Sequence, residues 1–166
     1  MDPFVQQRHK PPAPLDRPRA LIVACPPMQS NVNLSRIVRA AGCFGVARVI
    51  ACGNAKILPQ IARDAGGAVA IESHRTLAPV LRRLREDGYQ LVGLEQATNS
   101  LCLYDYAFAR RVVLVVGNER AGLEEELLDL LDHVVEIPLY GQPHAHNVAT
   151  AAAIAMYEYC RQYPRG

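Results

Sequence analysis

At 166 residues, half of them hydrophobic and a fifth charged, the chain is sized for one domain with a full apolar core. Its 18 basic and 16 acidic residues leave a formal charge of only +2, which excludes recognition of nucleic acid or membrane by bulk charge; any such site must come from clustering. The longest apolar stretch, Val148 to Tyr157, is too short to cross a bilayer.

Met1 to Pro18 holds five prolines among Arg8, His9, Lys10 and Arg17. It reads as a flexible, basic, solvated arm and not as a secretory signal. Residues 19–166 then read as a single domain. Ala20 to Ala24 is a buried strand and Asn33 to Phe44 a helix. Arg48 to Ala51 is a short strand, followed by a weaker helical stretch near Ile57 to Ala65. Ala68 to Ile71 is strand-like. Thr76 to Asp87 is a helix with Leu77, Val80, Leu81 and Leu84 on one face. Gln90 to Glu95 and Val112 to Val116 are buried strands. Leu123 to Leu131 is a helix, Val134 to Ile137 a strand, and Asn147 to Gln162 the closing helix. Strands alternating with helices, several of them continuous Val/Ile/Leu runs, predict an α/β fold: a mostly parallel sheet with helices on both faces. Ligands of such sheets bind beyond the carboxyl ends of the strands, here the loops after Leu94, Val116 and Ile137.

The five cysteines (25, 43, 52, 102 and 160) form no C-x-x-C pair, so reduced, mostly buried thiols in a cytoplasmic protein are expected. Lysine occurs only at 10 and 56, the remaining basic residues being arginine. That bias suits bidentate phosphate contacts, although GC-rich coding accounts for it equally.

Three segments carry candidate chemistry. In Asn31 to Gly45, Leu34, Ile37, Val38 and Ala41 form an apolar helix face, leaving Ser35, Arg36 and Arg39 opposite. Arg36 and Arg39 make a compact anion site, or simply a solvated face. In Val112 to Glu124 a buried strand enters a Gly-x-x-x-x-Gly loop. The loop lacks the Lys-Ser/Thr of a phosphate loop and contains Glu119, so it suits a cationic or hydroxyl-bearing ligand better than a polyphosphate. In Val135 to Ala151 a strand ends in Ile137-Pro138, and an Ala-rich helix begins at Asn147, itself a good N-cap. His144 and His146 lack a third ligand, so no metal is expected.

In this order, the three segments resemble the motifs of the SpoU/TrmH branch of the SPOUT superfamily of RNA methyltransferases. Asn33, Ser35, Arg39 and Phe44-Gly45 match the first motif, with Ser35 where glycine is usual. Gly117, Glu119 and Gly122 match the second. Ile137-Pro138, Asn147-Val148 and Ala151 to Ala153 match the third. The similarity spans about Arg19 to Gln162, and Val92 to Thr98 with Glu158 to Gln162 look most like tRNA guanosine 2′-O-methyltransferase domains.

The resemblance implies a carboxyl-terminal trefoil knot, a homodimer through the closing helix, and S-adenosylmethionine as cofactor. The cofactor would be held near Leu94, Glu95, Gly117, Asn118, Ile137, Leu139, Ala145, His146 and Asn147. It implies methylation of a ribose 2′-hydroxyl in RNA, tRNA rather than rRNA, without metal or membrane. Arg39, Asn33, Glu119 and Asn147 would be catalytic, and Arg36 and Arg39 would hold RNA, helped by Arg8 and Lys10 through the basic character of the arm, which lies outside the resemblance. The family's Ser-Leu-Asn reads Ala145-His146-Asn147 here, so the usual hydroxyl is missing. His144 or His146 would then supply a replacement polar group or the base. The departure also leaves open an inactive relative that binds RNA or a partner as a dimer. A flavodoxin-like nucleotide-binding module is a third reading, but it leaves Asn33, Arg39 and Glu119 unexplained.

Overall fold

The structure is a computed structural model that describes residues 3–166, so the first two residues of the expected arm lie outside the described residues. Seven parallel strands form one sheet in the order β3-β2-β1-β6-β4-β7-β5. They are β1 (Leu21–Cys25), β2 (Arg48–Cys52), β3 (Ala70–His74), β4 (Gln90–Leu94), β5 (Leu101–Cys102), β6 (Val112–Val116) and β7 (His133–Glu136). Between them lie α1 (Asn31–Cys43), α2 (Pro59–Ala62), α3 (Ala65–Ala68), α4 (Ala78–Glu86) and α5 (Glu125–Leu128), and α6 (Val148–Gln162) closes the chain.

The central strands are buried on both faces, which is why their sequences run apolar without alternation. Leu21, Val23, Leu114 and Val116 face one core with Leu34, Ile37 and Val38 of α1 and Ala152, Met156 and Tyr159 of α6. Ile22, Ala24, Val113 and Val115 face the other with Leu81 and Leu84 of α4 and Leu127 of α5. Every residue of β6 is buried, each contributing about 1.5–3 kcal/mol of apolar transfer. β6 enters between β1 and β4, and β7 between β4 and β5. Late strands thus occupy places between earlier ones, the interleaving expected of a knotted carboxyl-terminal half. No helix among the described residues is long and apolar enough to cross a membrane.

Several expectations need correction. The helix expected over Leu123 to Leu131 is a single turn. Leu123 N–H is taken by the Glu95 carboxylate, and Leu130 and Leu131 bond three residues back in tight turns. The stretch near Ile57 to Ala65 breaks into α2 and α3 at Arg63, whose φ is 51°. The third strand begins at Ala70, two residues later than expected, and the two-residue β5 was not anticipated. Ser35 does not face solvent beside Arg36 and Arg39. It is fully buried, donating to Asn31 O (2.6 Å) and accepting from Leu58 N (2.8 Å). All five thiols are free, but only Cys25 and Cys52 are buried.

The arm's last residues are tied to the end of the chain. Asp16 N donates to Arg165 O at 3.0 Å and Arg17 Nε to Gly166 O at 3.3 Å, and Arg19, where the domain begins, donates to Phe44 O at 2.7 Å and to Tyr163 O.

Candidate functional site

The carboxyl ends of β4, β6 and β7 open into a cleft of about 370 Å³. Its floor is apolar, with Leu94, Val116, Ile137, Val148 and Ala151, and its rim carries Glu95, Glu119 and Glu136.

The loop after β6 forms one wall. Asn118 and Gly122 exchange both backbone hydrogen bonds, at 2.8 and 3.0 Å. The Asn118 side chain accepts from Arg120 N and Ala121 N and donates to Pro27 O at 2.8 Å. Glycine is required at both ends of this fold-back. Gly122 has φ +66°, and a Cβ there would stand 2.5 Å from Glu95 Oε2. A Cβ on Gly117 would meet the Gly122 carbonyl carbon at 2.9 Å.

Glu119 turns away from its own loop toward the start of α1. Its carboxylate accepts from Gln29 N (2.9 Å), Ser30 N (3.0 Å) and Asn33 Nδ2 (3.2 Å). Burial opposes ionisation, but the donors from Gln29, its own backbone, Asn33 and Ser30 outweigh it and hold the carboxyl below its ordinary range. Asn33 Oδ1 accepts from Asn147 Nδ2 at 3.1 Å, and Asn147 Oδ1 caps α6 through Ala149 N at 3.0 Å. One line of hydrogen bonds, Glu119–Asn33–Asn147, therefore joins segments 86 and 114 residues apart.

The structure brings Asn33, Leu94, Glu95, Gly117, Asn118, Glu119, Ile137, Ala145, His146 and Asn147 together around this cleft. Leu139 instead lines an adjoining depression of about 430 Å³ between Pro138 and Thr150. Arg36 and Arg39 stand exposed on α1, outside the cleft, and Arg8 and Lys10 are exposed in the arm. Sequence reasoning did not single out Gln96, Arg120 or Glu136 as site residues, all of which line the cleft. Gln96 and Glu136 sit at strand ends, where the rule on carboxyl edges already pointed. Arg120 had no signal beyond its place in the glycine loop.

A cleft of this size suits a nucleoside-sized ligand. Carboxylates over an apolar floor favour a cation or hydroxyls and oppose a polyphosphate. The donor set thus fits a sulfonium-bearing nucleoside.

The model of the SpoU rRNA Methylase family matches residues 20–157. The tRNA (guanosine(18)-2′-O)-methyltransferase of Escherichia coli (strain K12) is 29% identical over 133 residues, 78% of this chain and 58% of that protein. The chain therefore spans little more than half the length of that relative. Among solved structures, the A. aeolicus TrmH/SpoU tRNA modifying enzyme superposes with a TM-score of 0.84 at 29% identity, covering 90% of this chain and 78% of that one. The SpoU methyltransferase AviRb from Streptomyces viridochromogenes, in complex with the cofactor AdoMet, superposes at 0.75 with 26% identity, covering 92% and 64%.

Proposed function

The chain belongs to the SpoU rRNA methylase family, and on that premise we propose that it transfers a methyl group from S-adenosylmethionine to a ribose 2′-hydroxyl of RNA, with tRNA as the substrate class. The observation that carries the proposal is the Glu119–Asn33–Asn147 line, which ties three separate segments around one carboxylate-rimmed cleft. The names of the relatives support the tRNA assignment.

When bound, S-adenosylmethionine supplies an electrophilic methyl on a sulfonium that already carries positive charge. Backbone groups at the ends of β4, β6 and β7 would hold it, near Leu94, Gly117 and Ile137, with Glu95 available to hydroxyls. Asn33 and Asn147 fix the edge of the cleft nearest α1. The side chains of Arg36 and Arg39 make no hydrogen bond among the described residues, which leaves both guanidiniums for RNA phosphates, alongside Arg8 and Lys10. A guanidinium holds its proton too firmly to be a good proton acceptor. Arg39 is assigned instead to binding the target phosphate and stabilising the developing alkoxide.

A homodimer through α6 is part of the same reading. The outer face of that helix carries Ala153, Ile154 and Tyr157, with Tyr157 62% exposed and edge-on to Phe44 at 6.3 Å. The cytoplasm, where tRNA resides, is the proposed location, with residues 19–166 as the catalytic domain and residues 1–18 as its basic arm.

Calorimetry with S-adenosylmethionine, then labelled transfer to total tRNA and rRNA with nucleoside analysis, tests the proposal. Label in 2′-O-methylated ribose from tRNA is expected; label in bases refutes the reaction type. Arg39→Ala is expected to keep cofactor affinity and to lose about 100-fold or more in transfer. Cofactor binding with no transfer to any RNA would instead indicate a dimeric binding protein, the alternative that the Ala145-His146 departure leaves open.

A further inference from the structure

Removal of the 2′-hydroxyl proton has no assigned acceptor, and the third segment lacks the hydroxyl that its relatives carry. Resting on the reading above, we propose that His146 is the general base for the 2′-hydroxyl and stands between cofactor and target nucleotide.

The geometry separates the candidates. The cleft and the adjoining depression share three residues, Ala145, His146 and Asn147. A methyl donor in the cleft and a ribose in the depression would meet across that partition. Of the three side chains, that of Ala145 has no polar atom and that of Asn147 is an amide with both ends engaged, to Asn33 Oδ1 and from Ala149 N. Of these side chains, only that of His146 carries a nitrogen lone pair that can take up a proton. It is exposed and makes no hydrogen bond among the described residues, so its ring is available to a ligand. His144, two residues earlier, lines neither concavity.

The other titratable groups serve less well. Glu119 accepts from Gln29, Ser30 and Asn33, and its carboxyl is held below its ordinary range. Glu95 accepts from Gln96 N and Leu123 N. Glu136 and Arg120 line the cleft but not the depression, and Tyr140 lines the depression but not the cleft. A ring nitrogen of His146 takes the hydroxyl proton as the oxygen–methyl bond forms. The methyl–sulfur bond breaks with its electron pair left on sulfur, so the sulfonium leaves as a neutral thioether. The imidazolium then returns its proton to solvent, with Glu95, Glu119 and Glu136 around the shared cleft offsetting its charge.

The test compares His146→Ala and His144→Ala with the unaltered protein. His146→Ala is expected to lose about 100-fold or more in kcat, in the range of lost general-base catalysis. Its cofactor affinity by calorimetry should stay within about threefold, and added imidazole should restore part of the rate. The wild-type kcat should rise with pH to a plateau, a feature that His146→Ala loses. In the unaltered protein, substrate RNA should shift the ring ¹⁵N resonances of His146 and leave those of His144 in place. His144→Ala should retain full activity. Turnover of His146→Ala near the wild-type rate, or an unchanged pH profile, overturns the assignment alone. A wild-type protein that binds cofactor and methylates no RNA overturns both this assignment and the methyltransferase reading.

Discussion

The loops after β6 and β7 line the same cleft and are built in opposite ways. Residues 117–123 are held from within by the Asn118–Gly122 bridge and from outside by Glu95, Pro27 and the start of α1. Pro138 to His146 take part in no hydrogen bond among the described residues, and Tyr140 to His146 are all exposed. One wall of the site therefore has its shape before any ligand arrives, as electrostatic preorganisation requires. The other is free to take its shape from what it binds. The departure from the family pattern, Ala145-His146, falls in the second wall, where a changed side chain disturbs no existing bond.

The sharpest way to break this comparison is to put the same methyl into both loops. Gly122→Ala forces alanine to φ +66° and against Glu95, and Gly117→Ala drives a methyl into backbone. Both should cost about 100-fold or more in cofactor affinity by calorimetry, since neither obstacle can move without unmaking the wall. A Cβ at Gly141 meets nothing within 4 Å. Gly141→Ala should leave affinity and melting within about 0.5 kcal/mol of the parent. Equal losses at Gly117 and Gly141 would mean that the two loops do not differ in this way.

Asn33→Ala tests the line between the walls. It removes a donor from Glu119 and an acceptor from Asn147. A loss of about 1–3 kcal/mol in stability is expected, read by denaturant titration. Asn33→Asp should do no better, because it sets a second carboxylate against Glu119. Hydrogen exchange gives a gentler reading. Amides of Asn118, Gly122 and Leu123 should be protected without ligand. Those of Leu139 to Gln142 and of His144 to His146 should gain protection of about tenfold only when S-adenosylmethionine is added. Equal protection of both loops in the free protein would contradict a second wall shaped by its ligand.

How much of this was legible follows from what apolar periodicity can and cannot report. Val112 to Val116 and Leu34, Ile37, Val38 and Ala41 were readable because burial itself set their spacing. Ser35 was misread because α1 buries a second, polar stripe against the segment leading to α2, through Asn31 and Ser35. Polar burial leaves no hydrophobic signal. Leu123 to Leu131 has helical spacing because Leu123, Leu127 and Leu131 all lie against the α4 side of the sheet. Periodicity reports which side is buried, not whether backbone bonds run unbroken. The meeting of Glu119, Asn33 and Asn147 came only from resemblance, since nothing local relates residues so far apart. The preference for His146 over His144 needed the fold, because His146 lines both concavities and His144, two residues earlier, lines neither.

The smallest expected effect concerns Glu119, whose bonds belong wholly to the first wall. Its carboxyl is held below the ordinary range in the folded protein. The sign follows by linkage: the folded state binds the proton less readily than the unfolded chain does. Stability from this group is complete above the ordinary carboxylate pKa and is lost as pH falls through the lowered value, from about pH 5 downward. Glutamine at 119 cannot titrate and turns an N–H₂ toward Gln29 N–H or Ser30 N–H. The wild type should therefore melt higher than Glu119→Gln at pH 7, and the gap should close on acidification toward pH 3. A gap that stays constant with pH would mean that the ionised carboxylate is not what fastens this loop to α1. The tie between the preformed wall and Asn33 would then rest on shape alone.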